Sequence, residues 1–273
     1  QFIMATKYNT VEDDNFTTAI GGAPSSGDTV MVIKGNRDYS AGTDLDAYDL
    51  QRFELTPDFG GRFRNEAGGK LSLVVNQTGT GKFINNSRSP KIELESSSAS
   101  GVIYEIQHAP ALASGLLQVG ACDCEMAYVQ DGVFIALDGS DIAAAKLAGG
   151  KSFFRNSSNA LPTVDCYDGS HEIARDITTA NIYGGAMRFS DTAVVPATCN
   201  IQGGVLEVLE CGTISALNGF RGVLDISQSR RPLTISAAVL YPNFRIRLRR
   251  GQSLPSWGTP TKPYGEPQFE YVG

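Results

Sequence analysis

The sequence predicts an all-β chain built around a parallel β-solenoid. Three observations carry this reading. Short β-rich runs separated by Gly, Ser, Asn and Asp occupy most of the 273 residues. A nine-residue pattern recurs at intervals of 18–19 positions. Helix signals are scarce. A repeat of that length is too short to stand alone and suits one coil of a solenoid, whose apolar face is buried only when coils stack.

The repeat is explicit. Residues 181–189 read NIYGGAMRF, 200–208 read NIQGGVLEV and 218–226 read NGFRGVLDI. Alternation puts Met187 and Phe189 on one strand face, with Leu206 and Val208, then Leu224 and Ile226, at matching positions; Arg188, Glu207 and Asp225 point the other way. The preceding glycines suit a tight corner between strands. Related starts occur at GGKLSLVV (68–75) and GGKSFF (149–154). Further strands are predicted at 29–35, 70–76, 91–96, 101–107, 133–137, 232–236 and 244–249. Two short helices are predicted, over 10–20 and over 141–148 (DIAAAKLA). A β-sandwich is the alternative, but it gives no reason to repeat Asn-Ile-x-Gly-Gly. The Leu-x-x-Leu-x-Leu framework of leucine-rich repeats is absent.

The segment AIGGAPSSGDTVMVIKG (19–35) resembles the start of many right-handed parallel β-helix proteins, with Gly27, Asp28, Thr29, Val30, Met31 and Val32 as the piece that begins the first turn. The resemblance covers about the first thirty-five residues. It implies a single-stranded right-handed parallel β-helix whose apolar end is capped by a short N-terminal helix. The expected organisation is an arm and cap over 1–26, a β-helix over 27–250 and an extended C-terminal arm over 251–273. The group includes pectate-lyase-like enzymes and also bacteriophage tailspikes, fibres and capsid-decorating proteins, so the likeness separates folds rather than functions.

Composition narrows the function classes. Hydrophobic residues make up 41%, enough for a packed core. A net charge of −6 argues against a general nucleic-acid binder, which needs a basic face. No apolar run approaches the roughly 18–20 residues of a membrane span. No basic-then-apolar stretch opens the sequence, so no secretory leader is expected. Met4 reads as a natural start, which leaves Gln1, Phe2 and Ile3 to an upstream start or an added segment. Cys122, Cys124, Cys166, Cys199 and Cys211 have no zinc-type spacing and are expected to be buried reduced thiols.

No complete catalytic or cofactor motif is present, and the expectation is no enzyme, no cofactor and no metal site. NQTGTGKF (76–83) lacks the first Gly and the final hydroxyl of a phosphate-binding loop. Asp165 with Asp168, and Asp123 with Glu125, are the carboxylate pairs that a glycosidase or lyase reading would use; a chain with 29 acids makes such pairs by chance. His108 and His171 are expected in solvated loops.

The C-terminal end carries the candidate binding residues. In FRIRLRRG (244–251), Arg245, Arg247 and Arg249 share one strand face, and Arg250 extends the charge. The plain reading is a charge-guarded edge strand; the functional one is a basic strip for an acidic partner. The Pro- and Gly-rich segment beyond it holds Trp257, Tyr264, Phe269 and Tyr271, more aromatics than a solvated tail usually carries. The expectation is a virion structural protein on the capsid surface, assembled in the host cytoplasm. It would be a homotrimer whose partner is the major capsid protein or another virion protein. A surface glycan is the other candidate ligand, through a carbohydrate-active or carbohydrate-binding β-helix.

Overall fold

The structure, a computed structural model, describes residues 6–9, 25–32, 44–62, 71–75, 81–95, 102–109, 115–155, 158–191, 194–258, 260–262 and 265–273. Among them every extended element is a β-strand and there is no helix. The helix expected over 10–20 lies outside the described residues. The chain divides into two compact units, Gln1–Ala143 and Ala144–Gly273. Each is a parallel β-solenoid.

In the first unit, one ladder runs from Thr6–Asn9 through Thr29–Val32, Arg52–Leu55, Lys82–Asn85 and Val102–His108 to Cys122–Val129. A second runs from Asp44–Leu50 through Leu71–Val75, Ile92–Glu95 and Leu116–Val119 to Val133–Ala136. All these pairings are parallel, which requires the chain to travel round a coil between partners. The turn before Thr29–Val32 is built by Asp28, whose carboxylate accepts from the Ser25 amide and hydroxyl at 3.0 and 2.9 Å. Phe53 and Phe83, in register on neighbouring strands, stack at 5.8 Å inside. Lys82, in the loop-like motif, is a strand residue paired with Glu105 at 3.0 Å.

In the second unit the coils contribute two strands each; a glycine lies at the corner between them from Ala144 to Asp225, whereas Tyr241-Pro242-Asn243 joins Thr234–Leu240 to Phe244–Arg249. One ladder holds Ala144–Leu147, Leu161–Cys166, Ile177–Ile182, Thr198–Ile201, Thr213–Gly219 and Thr234–Leu240. The other holds Lys151–Phe154, Ser170–Ile173, Ala186–Phe189, Val205–Val208, Gly222–Asp225 and Phe244–Arg249. Met187, Leu206 and Leu224 stand in register and are fully buried, as the repeat predicted. Phe189 and Val208 pair beside them, and Ile226 is buried with them. Gly219 takes an interior position between Ile201 and Leu240 because the Phe244 ring fills its space: a Cβ there would lie 2.6 Å from the ring.

Two expectations are corrected. Residues 141–148 are not helical: Ser140–Ile142 and Ala144–Leu147 are strands. Ser140 and Ile142 point inward in the first strand and Ala145 and Leu147 in the second, each pair at strand spacing, and their burial outweighs the helix propensity of the alanines. The segment after residue 250 is not an extended arm. Ser256–Trp257 pairs with Thr234–Leu240, and Gln268–Val272 pairs with Phe244–Arg249, so the ladders continue. Phe269 and Tyr271 align with the interior residues Ile246 and Leu248 yet are 41% and 57% exposed. Among the described residues nothing stacks beyond that last strand.

Candidate functional site

The outer face of the second unit is organised in columns, because each coil presents the same outward positions one strand spacing apart. One column is amide. Asn218 Nδ2 donates to Asn200 Oδ1 at 2.7 Å, Asn200 Nδ2 to Asn181 Oδ1 at 2.8 Å, and Asn181 Nδ2 to an Asp165 carboxylate oxygen at 2.8 Å. This is what the repeated asparagine does, and it places Asp165 at the end of a ladder. Asp168 is held in the adjacent corner, where its carboxylate accepts from the Gly169 amide at 2.7 Å. Asp123 and Glu125 are both exposed on their strand.

A second column lies at the residue that follows each strand of the first ladder. Tyr167 stacks on Tyr183 with centroids 4.9 Å apart, and Phe220 on Tyr241 at 4.9 Å, with Gln202 at the place between the pairs. Tyr167, Tyr183 and Phe220 are exposed. Sequence reasoning missed this column; the signal is the position just before the corner glycine pair, aromatic in NIYGG and in NGFRG.

The third column is charged. Arg188 meets Glu207 at 2.6 Å, and Arg247 bridges Asp225 at 3.0 Å and Glu270 at 3.3 Å. Arg247 is therefore bound within its own chain, and Arg245 lies 4.0 Å from Glu270. Arg249 and Arg250 are exposed. Their guanidinium groups have no carboxylate within 4 Å among the described residues. Trp257 is half-buried, Phe269 and Tyr271 lie on the terminal strand, and Tyr264 is outside the described residues. The expected strip is thus divided between an internal ladder and two open cations.

Both histidines sit on strands, not in solvated loops, and both are buried. The Ser152 hydroxyl donates to His171 Nδ1 at 2.9 Å, and Nε2–H donates to the Asp168 carbonyl at 2.6 Å, so the neutral ring satisfies both partners. Burial pushes the His171 pKa down. His108 accepts from Asn85 Nδ2 at 3.3 Å, and burial brings its pKa down to about 4, partly opposed by the Gly115 carbonyl and Asp131. All five cysteines are free and buried, as expected. Burial raises Cys166 to about 12 and Cys211 to about 11, and raises Cys124 and Cys199 as well. A thiol held protonated is a poor nucleophile or metal ligand. Among the described residues no cluster of His, Cys, Asp and Glu could hold a metal ion.

The histidines set an expected pH dependence. An unfolded histidine binds its proton near pH 6.5, while folded His108 resists protonation down to about 4. Below pH 6.5 the unfolded state binds more protons, so stability is lost as pH falls from about 6.5 towards about 4. His108 alone accounts for about 3 kcal/mol over that window, of which about 2 kcal/mol is gone by pH 5. His171 adds in the same direction. Urea unfolding at pH 7.5 and pH 5 checks this; equal stability at the two pH values would contradict it.

Comparisons of the chain with family models, with curated proteins and with solved structures returned no match.

Proposed function

We propose that the chain is a non-enzymatic structural protein of a virus particle, a capsid-decorating or cement protein that sits on the capsid surface as a homotrimer after assembly in the host cytoplasm. The observation that supports it most is the layout of charge. The whole chain carries −6, yet residues 221–250 hold seven arginines and one acid, Asp225. Such a basic end on an acidic body favours docking to an acidic protein surface and disfavours stray association elsewhere. The sealed thiols and neutral, hydrogen-bonded imidazoles suit a scaffold better than a reaction site.

A carbohydrate-binding or carbohydrate-active protein is the second reading. The exposed Tyr167, Tyr183 and Phe220 beside the Asp165–Asn181–Asn200–Asn218 column favour it, since sugars meet aromatic and amide groups together. Two measurements separate the readings. Light scattering of the purified chain is expected to give the mass of three copies. A panel of polysaccharides is expected to show no cleavage. Glycan cleavage that disappears in a folded Asp165→Asn/Asp168→Asn chain would move the assignment to the enzyme.

A further inference from the structure

Within the second unit, the segments 226–233 and 249–256 line an open pocket of about 420 Å³. That size falls among ordinary ligand sites. Three arginines line it, Arg230, Arg231 and Arg249, and no acidic residue does. Arg230 and Arg231 share one carboxylate outside the lining, Glu210, at 3.1 and 3.6 Å. Arg249 has none within reach among the described residues. Three cations against one anion leave two positive charges uncompensated in a concave site, where their field is focused.

The walls are fixed in advance of any ligand. Gln252 ties the two turns together: its Nε2 donates to the Ile226 carbonyl at 2.7 Å, and its Oε1 accepts from the Arg249 amide at 2.9 Å. The Ser229 hydroxyl donates to the Arg231 carbonyl at 2.8 Å. The apolar part of the lining is aliphatic, with Leu233 buried and Leu254 half-exposed. Beside it, Ser256–Trp257 pairs with a strand on one side only among the described residues.

We propose that this cavity docks an acidic peptide segment of a partner protein. Its Asp or Glu carboxylates meet Arg230, Arg231 and Arg249, and an apolar neighbour packs on Leu254. Guanidinium forks match carboxylates in two-pronged pairs. A peptide also uses two features that an acidic glycan leaves idle. The lining offers aliphatic carbon and no aromatic platform for a sugar ring. The open side of Ser256–Trp257 offers main-chain groups to which a peptide backbone can add. The inference gives the particle contact proposed above its chemistry, and it rests on that reading only for where the peptide comes from.

The single tryptophan, Trp257, adjoins the lining residue Ser256, so its fluorescence reports on the cavity. The full chain is titrated with acetyl-Leu-Glu-Leu-Glu-Leu-amide, with the same peptide carrying Gln for Glu, and with an oligogalacturonate, each at low and raised salt. The Glu peptide is expected to bind at least about tenfold tighter than the Gln peptide, and to weaken with salt. Arg249→Gln is expected to lose about tenfold in affinity while melting as the parent does, because that side chain makes no ion pair among the described residues. The proposal is overturned by no Glu-peptide binding, by equal binding of the two peptides, by tighter binding of oligogalacturonate, or by an Arg249→Gln chain that binds unchanged. Particle binding by a chain that ignores the peptide refutes the cavity alone; peptide binding without particle binding refutes the virion reading alone.

Discussion

Gly204→Ala is expected to destabilise the second unit by roughly 3–5 kcal/mol. Two costs combine. The backbone at Gly204 has φ +64°, a conformation that strains a side chain. The new Cβ would also lie 2.5 Å from the Gly185 carbonyl oxygen and 2.6 Å from the Gly184 carbonyl carbon. Both atoms are backbone of the preceding coil and cannot rotate away. Gly185 and Gly222 are in the same state, with φ +65° and +91° and backbone atoms of the previous corner within 2.7 Å of a Cβ. The corner glycines therefore set how closely coils approach, and a methyl group there forces two ladders apart. Denaturant unfolding measures the loss. Gly212→Ala is the control: its Cβ would meet nothing within 4 Å and its φ is not left-handed, so it should change stability little.

Leu206→Ala is expected to cost roughly 2–5 kcal/mol. Leu206 is fully buried and lies between Met187 and Leu224 in the interior column of the second ladder. Truncation removes apolar burial and leaves a cavity with stacked side chains above and below. Those neighbours are fixed by ladder hydrogen bonds and can relax only slightly into the space. Leu254→Ala, at a side chain that is 50% exposed, should change stability far less. Similar losses at both positions would mean that Leu206 is not a core residue.

The fold was legible because its repeat is written twice, once in strand alternation and once in corner glycines. The Met187–Leu206–Leu224 register followed from spacing alone. What sequence could not supply was the neighbour one coil away. Within the second unit coil length varies from 16 residues, Ser170 to Ala186, to 23, Arg245 to Gln268. Alternation placed Arg245, Arg247 and Arg249 on one face correctly, yet nothing local announced that Arg247 would sit between Asp225 and Glu270. The same blindness hid the partners of His171: Ser152 lies nineteen residues back on the adjacent coil. The terminal segment misled for another reason. Turn residues between its two short strands diluted the strand signal until the stretch looked unstructured. The Arg230-Arg231 pair was passed over because a charged turn carries no periodicity; only the cavity beside it gives those residues a role.

The measurement that bears most directly on the proposed virion role is sedimentation of the purified chain with the virus particles to which the proposal assigns it, prepared without this protein, at low and at raised salt. The chain is expected to pellet with the particles at low salt in a fixed number of copies, and to be released as salt screens its exposed arginines. A chain that stays in the supernatant at every salt concentration, with intact fold and oligomeric state, would contradict the virion assignment.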